Sequence, residues 1–165
     1  MKTLYLVRHA FAADQGPDYP TDEARPLTEE GAARFRVQVR GLRELDVQID
    51  AVLASPLLRC QQTAHLMAAG LGGGIPVETL DALRPGGRVA DVLEGLAPHR
   101  RAGALALVGH EPSIGYLASA LIGATGPMPF KKGAACRIDV DAFPPRGAGM
   151  LVWMLPPKVM RRLGD

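Results

Sequence analysis

A chain of 165 residues with 47% hydrophobic and 22% charged side chains has the size and balance of one globular domain with a real core, spanning 1–165. Its formal net charge of +2 is too small to point to nucleic acid, and no apolar stretch approaches the length of a membrane span. Two cysteines, Cys60 and Cys136, make no disulfide framework, and the first apolar run stops at Val7, too short for a secretion signal, so a cytoplasmic protein is expected.

The first element is a strand over residues 3–7, whose continuous apolar character suits a strand buried on both faces of a parallel sheet. It runs directly into Arg8 and His9. Residues 10–26 carry Gly16, Pro17, Pro20 and Pro26 among acidic residues and read as a long loop over that strand end. Thr28 then caps a helix whose first turn holds Glu29 and Glu30 and whose Ala32, Phe35, Val39 and Leu42 recur at helical spacing up to about Leu45. A strand at 51–54 leads into Ser55-Pro56, expected as N-cap and first helical residue of a helix that carries Arg59 and ends in the glycines from Gly70. A strand at 76–80, a short helix at 89–97 and a buried strand at 104–109 follow, the last running into His110. Glu111-Pro112 opens a helix through Ile122, and residues 134–140 and 149–155 are two final strands. Strands alternating with helices predict a single-domain, three-layer α/β/α fold with a mostly parallel sheet.

Three strands therefore each deliver an imidazole or guanidinium at or just past their C-terminal ends, the edge where open α/β sheets bind ligands. Arg8, His9, Arg59 and His110 together make a pocket for a small, highly charged anion, with phosphate the first candidate. Arg59, in the first turn of its helix, can hold an anion jointly with free backbone N–H groups. A neutral imidazole held in line with phosphorus is a competent nucleophile. Arg8, Arg59 and a protonated His110 would stabilise the charge on the equatorial oxygens. The histidines lack short metal-ligand spacing and sit beside arginines, which repel a divalent cation, so neither a metal nor another cofactor is expected.

The segments Leu6-Val7-Arg8-His9-Ala10, Arg25-Pro26-Leu27-Thr28, Ser55-Pro56-Leu57-Leu58-Arg59 with Gln62-Thr63, and Val108-Gly109-His110-Glu111-Pro112 resemble the histidine phosphatase (phosphoglycerate mutase-like) superfamily. The short chain and Leu83-Arg84-Pro85-Gly86-Gly87 make it most similar to the SixA-type phosphohistidine phosphatases. The resemblance implies His9 as phosphoryl acceptor, phosphate held by Arg8, Arg59 and His110, and a further substrate contact from Arg25. Two departures stand out. Ala10 replaces the glycine usual after the Arg-His pair, and Leu83-Arg84-Pro85 offers no carboxylate general acid.

A sugar alkoxide needs a proton donor in the transition state, whereas a phosphorylated imidazole with its other nitrogen protonated leaves as neutral imidazole. A site without the acid should favour P–N bonds or activated esters, which makes a phosphohistidine-bearing protein the expected partner and tetrahedral anions such as phosphate or tungstate expected ligands. Asp81 and Glu111 are fallback acids; Glu111 can instead orient His110 or cap the helix. The alternative readings are a small-molecule phosphomonoesterase, for a sugar phosphate, nucleotide derivative or cofactor precursor, and a non-catalytic phosphate-recognition module. Elsewhere, His65, His99 and the Gly70–Gly74 run read as structural. Cys60 reads as a packed thiol, Lys131-Lys132 first as a solvated loop and second as a contact for an acidic protein substrate, and Arg161-Arg162 as a tail. Thr63 suits a pocket contact and local packing equally.

Overall fold

In the computed structural model, which describes residues 1–165, the apolar runs fall into six strands: β1 (Lys2–Arg8), β2 (Ala51–Ala54), β3 (Val77–Thr79), β4 (Ala104–Gly109), β5 (Ala135–Val140) and β6 (Met150–Leu155). Five helices accompany them: α1 (Glu29–Glu44), α2 (Leu58–Gly70), α3 (Val89–Glu94), α4 (Ser113–Ile122) and α5 (Pro157–Gly164). The strands form one sheet in the order β3-β2-β4-β1-β5-β6. β3, β2, β4 and β1 are mutually parallel, while β5 runs antiparallel to β1 and β6 antiparallel to β5. This is the mostly parallel α/β sheet expected from the sequence.

Side-chain alternation along β1 creates the three layers. Leu4 and Leu6 point into one core with Val92 of α3 and Ile114 and Leu117 of α4. Tyr5 and Val7 point into the other, with Phe35 of α1, Met67 of α2 and Met160 of α5. β4 divides in the same way, Leu105 and Leu107 against Ala106 and Val108. With both faces covered, the ligand-accessible part of the sheet is its edge at the strand ends. The register sets Arg8 beside Gly109 and Ala54 beside Val108, so the residues that follow β1, β2 and β4 emerge together.

Local sequence explains most element ends. The Thr28 hydroxyl accepts the Gly31 amide at 2.9 Å, with Glu29 and Glu30 in the first turn of α1. Gly72, Gly73 and Gly74 all take positive φ (126°, 73° and 70°) and turn the chain after α2.

Three expectations require correction. α2 begins at Leu58 rather than Pro56, because Leu57 keeps an extended backbone (φ -67°, ψ 139°) and takes the cap position itself. Residues 89–97 do not form one helix: α3 stops at Glu94 before Gly95, and a separate 3₁₀ turn follows at Ala97–His99. Arg161-Arg162 is not a tail, since it lies in α5, which packs on α1 through the fully buried Met160. A Cβ at Gly41 would collide with the Met160 carbonyl, so that glycine sets how closely the two helices approach.

Candidate active site

Arg8, His9, Arg25, Arg59 and His110 line one cavity of about 320 Å³, joined there by Asp22, Pro85, Glu111 and Lys132. His9 is anchored by its own backbone: its N–H donates to Gly109 O at 3.1 Å and its carbonyl accepts the Gly133 amide at 3.0 Å. Its imidazole is buried, and Nδ1 lies 2.7 Å from the Ala10 carbonyl. A carbonyl only accepts, so Nδ1 carries the proton and Nε2 keeps its lone pair. Arg59 Nε donates toward that lone pair at 3.4 Å. Burial above all, opposed by the Ala10 carbonyl and reinforced by the charges of Arg59, Arg8 and Lys132, lowers the His9 pKa to about 4. A neutral imidazole with its nitrogen facing a cationic cavity is thus the resting form.

Ala10 replaces glycine without strain. Its φ is not positive, its methyl is buried in the helix α1/α2 core, and its amide donates to the Thr63 hydroxyl at 3.1 Å. That hydroxyl donates in turn to the Arg59 carbonyl at 2.7 Å. Thr63 is therefore a clamp between the two segments that carry His9 and Arg59, rather than a lining residue of the cavity.

His110 follows β4, its ring centroid 5.3 Å from that of His9. Its Nε2 lies 2.8 Å from Ser55 Oγ, which also accepts the Leu57 amide at 3.3 Å. The Nδ1 edge has no closer partner than the Cys60 sulfur at 3.9 Å. Burial first, then the fields of His9 and Arg59, lower the His110 pKa to about 3. These influences favour a neutral His110 in the free site, whereas the sequence reading placed a protonated His110 against bound phosphate. Burial raises the Cys60 thiol to about 12, as befits a packed, inert side chain.

Arg59 is almost wholly buried, and its guanidinium meets Asp22: Nη1 donates to the Asp22 carbonyl at 2.8 Å and Nη2 lies 3.1 Å from the carboxylate. The other carboxylate oxygen takes Arg25 Nη1 at 2.8 Å, while Arg25 Nε donates to the Ala13 carbonyl at 2.6 Å. The long loop thus covers the strand ends, as its composition predicts, and Arg25 reaches the cavity as part of this ion-paired group. Arg8 Nη1 donates to the Phe130 carbonyl at 2.7 Å, and its buried Nε has no partner.

Of the fallback acids, Asp81 is exposed and lies outside the cavity wall, with Arg84 4.0 Å away. Glu111 is at the wall, but its oxygens accept the Gly115 amide at 3.0 Å and the Phe130 amide at 3.3 Å, so it anchors the start of α4. Asp22 is the carboxylate that sequence reasoning missed; its position three residues before Arg25 was the available signal. Ser55 was read only as a cap, although its hydroxyl also meets His110, and Lys132, expected first in a solvated loop, lies in a turn that reaches the cavity wall. His65 and His99 stay outside, the first bonded to the Gln61 carbonyl and the second to Glu78. No three His, Cys, Asp or Glu side chains are grouped so as to hold a metal ion. No helix is long and apolar enough to cross a membrane.

Residues 4–85 match the family described as the histidine phosphatase superfamily (branch 1). The phosphohistidine phosphatase SixA of Escherichia coli (strain K12) is 31% identical over 157 residues, which is 93% of each chain. An uncharacterized protein of Picosynechococcus sp. is 39% identical over 129 residues, 74% of this chain and 75% of its own. In three dimensions the chain is similar to the protein histidine phosphatase SixA solved in complex with tungstate. The TM-score is 0.83 at 28% identity, covering 94% of this chain and 97% of that one.

Proposed function

The chain belongs to the histidine phosphatase superfamily, and from that premise we propose that it is a protein phosphohistidine phosphatase working through a phosphoryl intermediate on His9. The observation that carries this reading is that the carboxylates at the cavity are already engaged. Asp22 is held below the usual carboxylate range by hydrogen bonds from Arg25 and Arg59, which outweigh its partial burial. Both oxygens of Glu111 are taken by backbone amides. Neither is poised to protonate a departing alkoxide, whereas an imidazole leaving group needs no such donor.

In this mechanism the phosphoryl group sits among Arg8, Arg25, Arg59 and His110, and the arginine N–H groups take its equatorial oxygens. His9 Nε2 attacks phosphorus as the bond to the substrate nitrogen breaks, and the electron pair departs on that nitrogen. The substrate histidine, protonated on its other nitrogen, leaves neutral. Water then attacks phospho-His9, the N–P bond breaks, Nε2 recovers its lone pair and orthophosphate leaves. His110, fixed by the Ser55 hydroxyl on Nε2, takes the water proton on Nδ1 and gives it up to the departing orthophosphate, which restores the neutral ring.

A substrate panel tests the reading. Phosphohistidine peptides and phosphoramidate should be hydrolysed with higher kcat/KM than alkyl phosphate monoesters. A clear preference for the alkyl esters would overturn it in favour of the small-molecule phosphomonoesterase.

A further inference from the structure

Beside the phosphate cavity lies a second cavity of about 380 Å³, walled by Arg8, Arg34, Lys131, Lys132, Lys158 and Arg161. No carboxylate contributes to this wall. Arg34 is ion-paired with Glu30 at its rim and Arg161 donates to Gln38 at 3.4 Å, but Lys131, Lys132 and Lys158 have no acidic partner. Lys132 is held instead over the exposed Phe11 ring, 4.7 Å from its centroid. Arg8 and Lys132 line both cavities, so an anion bound in one lies next to the phosphate held in the other.

The fold dictates this arrangement. β5 runs antiparallel to β1, which brings the turn before it, Lys131–Ala134, to the catalytic edge, where the Gly133 amide bonds the Arg8 and His9 carbonyls. α5 packs on α1 and brings Lys158 and Arg161 to the same opening. Cations contributed by β1, α1, the β5 turn and α5 thus converge with Glu30, the partner of Arg34, as their one ion-paired carboxylate, an arrangement that favours an anion in the space.

We propose that this cavity is a second anion subsite, which binds the carboxylate of an acidic side chain flanking the phosphohistidine in the protein substrate. The proposal rests on the phosphohistidine reading above for the identity of its ligand. Consecutive residues are only about 3.8 Å apart at Cα, so a near neighbour of the phosphohistidine reaches the adjoining cavity. Lysines, as flexible point charges, suit a carboxylate whose position varies between substrates.

The test uses peptides carrying a non-hydrolysable phosphohistidine analogue, flanked either by Asp/Glu or by Asn/Gln, with binding to the full chain read by fluorescence anisotropy. The acidic peptide should bind about tenfold more tightly, as expected for two exposed ion pairs. K131A/K158A, which removes two side chains that do not line the phosphate cavity, should abolish that difference while leaving phosphoramidate turnover within about twofold. Equal affinity of the two peptides for the unmodified protein, or an equal loss for both in K131A/K158A, would overturn the subsite. Discrimination between the analogues without turnover of any P–N substrate would instead leave the subsite standing and refute the phosphohistidine reading.

Discussion

Thr63→Val isolates the link between the two segments that carry the reacting groups. Valine nearly matches threonine in shape, and Thr63 is fully buried, so packing is kept while the hydroxyl is removed. Two hydrogen bonds disappear, but their consequences differ. The Arg59 carbonyl keeps its place in the helical ladder, so losing the 2.7 Å side-chain bond matters little. The Ala10 amide, which used the hydroxyl at 3.1 Å, is left buried with no partner. An orphaned buried donor costs about 1–3 kcal/mol. At about 2 kcal/mol the melting temperature should fall by roughly 4–8 °C for a domain of this size. The same amide belongs to the residue whose carbonyl fixes the His9 tautomer, so kcat on phosphoramidate should fall as well. Thermal and urea unfolding of the variant, with turnover measured well below its melting point, gives both quantities. Stability within about 0.5 kcal/mol of the parent chain, together with unchanged kcat, would refute the clamp.

Arg59→Ala should weaken inhibition by tungstate or phosphate by about 10- to 150-fold, the range for a charge-assisted hydrogen bond; an unchanged inhibition constant would remove Arg59 from the anion site. Ser55→Ala frees the Nε2 edge of His110 and should lower kcat about tenfold to a hundredfold through misorientation while tungstate inhibition stays near that of the parent chain; unchanged kcat would show that His110 needs no such support. His9 and His110 have folded-state pKa values of about 4 and about 3, below the unfolded value near 6.5. The unfolded chain therefore binds more protons at mildly acidic pH, so their contribution to stability is full above about 6.5 and is lost as pH falls toward 4 and below. Urea midpoints of the parent chain should consequently drop more steeply over that window than those of an H9A/H110A variant, and parallel curves would contradict the buried-neutral state.

Much of the fold was legible because β1 and β4 are continuous apolar runs that end abruptly in Arg8-His9 and in Gly109-His110. Their parallel pairing then brings those residues to one edge. α1 was legible from Thr28, its acidic first turn and the spacing of Phe35, Val39 and Leu42. α5 was not, because its 8 residues begin on the second of two consecutive prolines and only Met160 is buried. Its helical state comes from packing on α1, a tertiary contact with no local signature. Ser55 was only partly legible for a related reason: its hydroxyl accepts the Leu57 amide, as a serine before a proline suggests, but it also meets a histidine 55 residues away. The neutral form of His110 in the free site was not legible because a sequence does not display burial, the largest influence on that ring. Asp22 was hidden inside a loop whose composition announced irregular structure but not which of its acidic residues meets Arg59.

His9 is the proposed nucleophile, and its phosphorylated form can be trapped. Rapid quenching of the full chain during turnover of radiolabelled phosphoramidate should trap a protein-bound phosphoryl group that is stable to alkali, labile to acid and located on His9. The label should be absent, and turnover abolished, in a folded His9→Ala variant. Full activity in that variant, or label on any other residue, would contradict that role for His9.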